Sequence, residues 1–516
     1  MRLRPTYRPP AAARYRSPGG PWDVPNVDAV LSAPPVSGGA AVVDGPHRFD
    51  AVELESMVSG LAGSLRRRGI GRGDVVTWQL PNWWEALVLY RACWRCGALP
   101  APLHHQVGAS EVEAMVGVLE PAAAFAASSM PLADHQATVV VRDGTDGFTD
   151  LLSGPGVHDS PNRPSDLAAV IFTSGSTGSP KAVLHTHRGL AYKARAMGSV
   201  HGLSGRDAVL MPAPLAHISG LLNAVLVPGA AGMRTVLMER WDVGAGLRLI
   251  RDEEISFMIG PPSLFTAILE DPGFSPDVVA SLRVVSSGMM GVRPEFIEEA
   301  RAGLGAIVKR SYGSSEAPTV STCANDDTPE RCRDTDGRAF GDTEIRIVDP
   351  VTHRRRTAGR EGEVWIRGPE LFAGYADPAQ TETAVHRGWF RSGDLGVVDD
   401  QGWLTITGRL KDLIIRGGEN IAAAEVEQAL EAHPDIDRAV VVGCPDARLG
   451  ERVAAFVVAR RPVDVAECLR WFSEFGVARF KTPEVVVQLD ELPLLPAGKP
   501  DRASLKARAE SLAGAS

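Results

Sequence analysis

The chain has 516 residues, more than the roughly 250–300 that one hydrophobic core serves, so at least two domains are expected. Its residues are 44% hydrophobic and 23% charged, as in ordinary globular proteins, and 63 acidic against 54 basic residues (net charge −9) exclude a broad basic surface for nucleic acid. No apolar run reaches the ~18 residues of a membrane span. Pro5, Pro9 and Pro10 stand where a signal peptide would carry its apolar region, so the cytoplasm is the expected compartment.

Residues 1–45, rich in Pro, Gly and Ala, read as an arm that wraps the surface or frays. The first helix is expected over Ala51–Arg68, from Leu54, Met57, Val58, Leu61 and Leu65 at helical spacing, with Asp50 as its cap. A strand follows at Val75–Leu80 and stops at Pro81. Asn82 is expected to cap a second helix that ends at Gly97. Cys93 and Cys96 lie inside that apolar helix. With no second pair to complete four ligands they read as buried thiols, not a metal site.

Strand and helix continue to alternate, with strands at Leu167–Phe172, Val209–Met211, Thr235–Met238, Leu282–Val285 and Ile307–Lys309 and helices at Pro262–Glu270 and Pro294–Ala302. After Gly337 the texture turns to short strands, and Arg354, Arg355 and Arg356 among them read as a solvated loop. A last unit from Leu410 mixes helices (Ala424–Ala432, Val465–Phe475) with strands (Ala439–Val442, Val453–Val458, Val485–Leu489).

Four segments carry chemistry. Thr173-Ser174-Gly175-Ser176-Thr177-Gly178-Ser179-Pro180-Lys181 lies between two apolar strands. Small residues let backbone N–H groups and hydroxyls curl round phosphate oxygens, and one Lys adds a charge; the other reading is a flexible linker. The spacing is not that of a Walker loop. Tyr312-Gly313-Ser314-Ser315-Glu316 follows a strand, where open α/β sheets bind ligands. Tyr312 offers a face to a base, Ser315 a hydroxyl to phosphate and Glu316 a carboxylate to Mg²⁺; taken alone, the stretch equally reads as a surface loop. Asp394, in Ser392-Gly393-Asp394, has the acceptors for two ribose hydroxyls, or is a turn Asp. Pro496-Ala497-Gly498-Lys499-Pro500 forms a tight loop that aims one Lys, or leaves it solvated.

In their order and separation these segments resemble the superfamily of acyl-CoA synthetases, peptide-synthetase adenylation domains and luciferases over residues 45–505, closest in look to ligases of fatty, alicyclic and aryl acids. The resemblance implies an α/β fold: an N-terminal domain (46–409) of two helix-flanked sheets with a small β-barrel subdomain (337–409), then a mobile α+β domain (410–516) hinged at Lys411. It implies that Thr173, Ser174, Gly175, Ser176, Thr177, Gly178 and Lys181 hold the β- and γ-phosphates of ATP. Gly288, Met289, Tyr312, Gly313, Ser314 and Ile406 belong to the nucleotide pocket. Ser315, in place of the family's usual Thr, meets the α-phosphate, Glu316 is the Mg²⁺ ligand, and Asp394 with Arg409 binds ribose. Lys499 contacts the carboxylate and α-phosphate, and Gly417, Gly418 and Glu419 line a pantetheine tunnel.

The implied reaction is activation of a carboxylic acid as acyl-AMP, then transfer to CoA; the alternatives are transfer to a carrier-protein phosphopantetheine or catalysis of only one half-reaction, and a second copy of the chain is a candidate partner. The acyl pocket is expected from His217, Leu221, Ile259, Gly260, Gly288, Met289, Met290 and Gly291. His217 resembles the pocket-gating residue of CoA ligases; a core His at a turn is the alternative. No carboxylate follows Pro214–Gly220 to hold an ammonium group, which disfavours an amino acid. Met289 and Met290 suit either a bulky, irregular apolar acid or a shortened tunnel for a small one.

Overall fold

The computed structural model describes residues 3–31, 39–135, 138–142, 147–173, 180–288, 292–416, 419–446, 449–474, 478–495 and 498–513. The chain forms two compact units, Met1–Ile345 with Ile366–Arg391, and Arg346–Trp365 with Ser392–Ser516.

The strands of the first unit, in chain order, are β1 (Val42–Asp44), β2 (His47–Phe49), β3 (Val75–Gln79), β4 (Leu99–Leu103), β5 (Ala123–Ala127), β6 (Thr138–Val141), β7 (Leu167–Thr173), β8 (Lys181–Thr186), β9 (Ala208–Met211), β10 (Arg234–Leu237), β11 (Phe257–Gly260), β12 (Val284–Gly288), β13 (Ile307–Tyr312), β14 (Ser321–Thr322) and β15 (Arg338–Ala339). They build a nine-stranded sheet in the order β15-β14-β13-β12-β11-β9-β10-β1-β2 and a parallel four-stranded sheet in the order β4-β3-β5-β6. From β13 across to β1 the large sheet is parallel, and its strands are largely buried on both faces. β7 and β8 are an exception to the expected α/β alternation: they pair with each other, antiparallel, as a separate hairpin.

Local signals in the sequence place most helices. Asp50 accepts from the N–H groups of Val52 and Glu53, and Glu53 accepts from Asp50 N–H, a full capping box for the helix Ala51–Arg67. Gly97, at φ 101°, ends the helix Trp84–Cys96 in the left-handed conformation. Asn82 is not that helix's cap; Trp83 holds the position. The Asn82 amide instead accepts from Leu215 N–H (2.9 Å) and donates to Ala213 O (2.9 Å), because the buried turn after β9 has backbone groups that only a side chain reaches. All six cysteines are free and buried, Cys93 and Cys96 among them.

The described residues of the N-terminal arm pack against the rest of the first unit. Thr6 and Tyr7 N–H groups donate to Ala373 O, Tyr15 is fully buried, and Trp22 donates to Pro369 O with the Arg188 guanidinium 3.6 Å from the centre of its ring. Arg95, 1% exposed, donates to Asp28 of the arm (2.8 Å), to Glu55 and to Val157 O (3.1 Å). Removing one partner of such a cluster strands buried charge. Arg95→Ala is therefore expected to cost about 3–5 kcal/mol of unfolding free energy in a urea titration. A loss under about 1 kcal/mol would show that the cluster carries little of the stability.

The second unit takes in parts of β16 (Glu344–Val348), β17 (Gly362–Arg367) and β19 (Trp389–Val398), while β18 (Val385–His386) belongs to the first. Within the second unit β19 pairs antiparallel with β20 (Leu404–Arg409), bringing Asp394 opposite Arg409. Arg354, Arg355 and Arg356 lie on an exposed connection, as expected. The remaining strands, β21 (Leu413–Arg416), β22 (Glu419–Ala422), β23 (Ile436–Asp446), β24 (Gly450–Ala459) and β25 (Val485–Gln488), form a sheet whose one face is covered by the helices Ala423–Glu431 and Val465–Glu474 around Val426, Leu430, Val453, Val457 and Phe472. Among the described residues no helix is long and apolar enough to cross a membrane.

Candidate active site

In the nine-stranded sheet β9 leads to β10 on one side, whereas β11, β12 and β13 step away on the other. The strand order therefore reverses between β9 and β11, and parallel sheets bind ligands beyond the carboxyl ends at such a point. The ends found there are Met211, Gly260, Gly288 and Tyr312, with Gly260 beside Ser287 and Gly288 beside Ser311. Four separate expectations (Ile259, Gly260, Gly288 and Tyr312) thus fall on one edge.

The turn after β13 is built tightly. Val320 N–H returns to Tyr312 O (2.7 Å), Ser314 N–H reaches Ala317 O (3.0 Å) and Ser314 Oγ accepts from Ala317 N–H (3.2 Å), so the Ser314 hydroxyl is engaged in the turn itself. A Cβ on Gly313 would stand 2.3 Å from Thr319 N and 2.9 Å from Ala317 O, so only glycine fits.

The β7–β8 hairpin brings Thr173 opposite Lys181; residues 174–179 between them lie outside the described residues. Two side chains fasten this hairpin to the Tyr312–Glu316 turn. His185, on β8, donates through Nε2 to Ser315 O (2.8 Å), and its burial holds its pKa down to about 4, so the ring is neutral at physiological pH. Tyr375 donates its hydroxyl to Glu316 Oε1 (2.6 Å), and the Lys181 ammonium lies 5.4 Å from the centre of the Tyr375 ring. Neither His185 nor Tyr375 was among the expected site residues. No pattern along the chain could have marked them, since their partners are 130 and 59 residues away.

Past β9, Pro214–Gly220 is held by Asn82 and by Tyr90, whose hydroxyl donates to Leu215 O (2.9 Å). A Cβ on Gly220 would stand 2.1 Å from Pro214 O. His217 precedes the turn Ile218–Gly220 without capping it through its side chain. Its ring packs on His104 at 4.7 Å, and His104 stacks on His105 at 4.5 Å. Burial, then the two neighbouring rings, hold His104 down to about 3, so that ring is uncharged. Leu221, fully buried, opens a π-helical stretch, Leu221–Leu226, a form that often marks functional sites. Met289, Met290 and Gly291 lie outside the described residues.

The second unit gathers its own charged set. Asp394, 5% exposed, meets Arg409 at 3.0 Å, and Ser392 Oγ accepts from Asp394 N–H. Ile406 faces Gly396 in the same β19–β20 pair. Next to Lys499, Gly498 (φ 74°) donates its N–H to Leu495 O, and Leu495 N–H returns to Lys499 O (2.7 Å). Exposed at its surface but surrounded by protein over a wider radius, its ammonium is held below the usual lysine value of 10.5. Desolvation is the main cause, followed by the Arg409 and Lys411 charges; Asp394 pulls the other way. Lys411 itself sits in the 3₁₀ turn Leu410–Asp412. Glu419 opens β22 opposite Arg416; Gly417 and Gly418 lie outside the described residues.

Glu316 offers a hard oxygen donor, and apart from Tyr375 its carboxylate has no partner among the described residues. Mg²⁺ takes one or two protein carboxylates and completes its octahedron with other oxygen ligands, so a single carboxylate of this kind fits it. Among the described residues one further group has metal-ligand spacing, His433, Asp435 and Glu467. There Arg461 already bridges Asp435 (2.9 Å) and Glu467 (3.0 Å).

Strand-end motifs beside the β7–β8 hairpin in the first unit, and a charged set around Asp394, Arg409 and Lys499 in the second, are the parts of an adenylate-forming enzyme. Residues 35–376 match the family described as AMP-binding enzyme, and residues 425–499 its C-terminal domain. The medium-chain fatty-acid–CoA ligase of Escherichia coli (strain K12) is 33% identical over 472 residues, covering 86% of this chain and 83% of that protein. The indoleacetate–CoA ligase of Aromatoleum aromaticum is 33% identical over 481 residues, covering 89% and 93%. The ATP-bound structure of MatB from Rhodopseudomonas palustris superposes with a TM-score of 0.88 at 27% identity, over 95% of this chain and 99% of that one. The chain belongs to the AMP-binding enzyme family, as an acid–thiol ligase with the large N-terminal and small C-terminal domains of that fold.

Proposed function

We propose that the chain joins an apolar carboxylic acid to the thiol of CoA through an acyl-adenylate. The observation that carries this reading is the fastening of the Thr173–Lys181 hairpin to the Tyr312–Glu316 turn by His185 and Tyr375, at the edge where Gly260 and Gly288 end their strands. In the first step a carboxylate oxygen attacks the α-phosphorus of ATP and the bond to pyrophosphate breaks. In the second, the thiol loses its proton, sulfur attacks the acyl carbon and AMP leaves.

Little covalent chemistry falls to the protein; positioning and charge neutralisation lower the barrier. Lys181 and the Thr173 hairpin hold the β- and γ-phosphates, Ser315 the α-phosphate, Tyr312 and Gly288 the base, and Asp394 with Arg409 the ribose. Lys499 bridges carboxylate and α-phosphate. Glu316 would hold Mg²⁺, which when bound neutralises phosphate charge. Lys411 is the proposed hinge before the small domain, and the 417–419 turn the pantetheine contact. A cytoplasmic location belongs to the same reading.

Leu221, Ile259 and Gly260 make the acyl wall apolar, and Leu215–Leu222 carries no carboxylate for an ammonium group. In a pyrophosphate-release screen, apolar fatty, alicyclic and aryl acids are expected to turn over and amino acids are not. Preferred turnover of an amino acid would overturn the assignment. The acyl-AMP is expected to give a thioester with free CoA; a thioester only with a phosphopantetheine carrier would move the acceptor to that class.

The Gly313 turn offers a second check. Adding one methyl group against fixed backbone costs about 1–3 kcal/mol, so Gly313→Ala is expected to raise the KM for ATP by about tenfold or more. An unchanged KM would remove the turn from the nucleotide site.

A further inference from the structure

Glu316 and Lys181, opposite charges from separate motifs, meet the same side chain. Tyr375, 4% exposed, donates its hydroxyl to one carboxylate oxygen of Glu316 at 2.6 Å, a length typical of a strong charge-assisted bond. Lys181 Nζ lies 5.4 Å from the centre of the Tyr375 ring, within cation–π range.

The ring itself has little freedom. Residues 372–376 run beside β8: Ala373 N–H donates to Leu184 O (2.6 Å), Leu184 N–H to Gly374 O (3.0 Å) and Ala376 N–H to Ala182 O (2.9 Å). Tyr375 N–H donates to Thr381 Oγ1 (2.8 Å), and Tyr375 O accepts from Thr6 of the N-terminal arm (2.8 Å). Phe372 packs edge-on against the ring at 5.0 Å, while its N–H donates to Glu316 O (2.8 Å). Gly374, at φ 97°, is required where Thr6 passes, since a Cβ there would stand 1.9 Å from Thr6 Oγ1.

A glutamate side chain loses about 1.5–2 kcal/mol of rotamer freedom when fixed in one place. A donor already held rigid supplies that order before the ligand arrives. The same ring offers its face to Lys181 while its hydroxyl engages Glu316.

We propose that Tyr375 is a positioning residue for the metal-bearing end of ATP, aiming the Glu316 carboxylate through its hydroxyl and steadying Lys181 on its ring face. This rests on the reading of Glu316 as the Mg²⁺ ligand.

The test is titration calorimetry of the full chain with Mg²⁺ and α,β-methylene-ATP, compared with AMP alone. Tyr375→Phe is expected to weaken binding of the Mg²⁺–analogue complex about tenfold, the worth of one hydrogen bond to a charged group, and to leave AMP binding unchanged. The KM for MgATP should rise, with the rate of thioester formation from preformed acyl-AMP unaltered. In a Glu316→Gln background the same change should add nothing further. Equal losses for AMP and the Mg²⁺ analogue would mean that Tyr375 supports only the local fold, which overturns the proposal. So would wild-type binding of the Mg²⁺ analogue by Tyr375→Phe while Glu316→Gln loses it. Unchanged Mg²⁺ dependence in Glu316→Gln would instead remove the Glu316 reading itself, and the proposal with it.

Discussion

Lys499→Ala is expected to lower the rate of adenylation by about 10²–10³-fold, the range seen when one preorganised donor to a developing charge is removed. Thioester formation from preformed acyl-AMP should stay within about twofold, because the α-phosphate bond that Lys499 serves is by then already broken. The structural ground is the backbone on either side of Lys499, where Gly498 N–H donates to Leu495 O and Leu495 N–H to Lys499 O. Equal losses in both half-reactions would refute the assigned role.

The same residue predicts a pH dependence. Desolvation and the Arg409 and Lys411 charges lower the Lys499 pKa, so the ammonium loses its proton at a pH below that of a free lysine. Adenylation, which uses the charged form, should decline as pH rises through that lowered value, and the second half-reaction should show no such limb. Lys499→Arg, always protonated, should abolish the alkaline limb in whatever activity it retains. A limb that survives unchanged belongs to another group.

Asp394→Asn is the second large effect. A buried carboxylate that accepts two ribose hydroxyls makes two charge-assisted bonds, each worth about 1.5–3 kcal/mol, so losing the charge should weaken ATP and AMP alike by about 10²-fold or more. Both half-reactions should suffer, since the ribose stays bound throughout, which separates this variant from Lys499→Ala. Asp394 also pairs with Arg409 at 3.0 Å. If that pair were its whole purpose, Asp394→Asn would lower the melting temperature and leave the KM for ATP and the AMP affinity unchanged. Calorimetry with AMP beside a thermal melt distinguishes the two.

Signals confined to a few neighbouring residues were the legible ones. The capping box of Asp50 and Glu53 acts within one helical turn, and the left-handed Gly97 acts on its own peptide, so the composition of a short window suffices. The motifs behind the family resemblance are local for the same reason: the Thr173–Lys181 stretch has Gly, Ser, Thr and Lys in immediate succession. Asn82 misled because its type suits a cap, and the competing demand, unpaired backbone groups of the turn after β9, lies more than a hundred residues further on. The strands expected on either side of the Gly/Ser stretch form, but an apolar run does not tell which strand will pair with it; β7 and β8 pair with each other, outside either large sheet.

The sequence by itself determined the family and supplied the residue types that the proposed site uses: the Thr173–Lys181 stretch, the Glu316 carboxylate, Asp394 and Lys499. Those are properties of residue types at short spacing, and side-chain chemistry does not depend on the rest of the fold. Only the tertiary structure decided that β9 and β11 part at the reversal point, that His185 ties the hairpin to Ser315, and that Tyr375 stands between Glu316 and Lys181. Such contacts join residues far apart along the chain. They exist only once burial of the sheets has offset the entropy of bringing those segments together, so no local pattern encodes them.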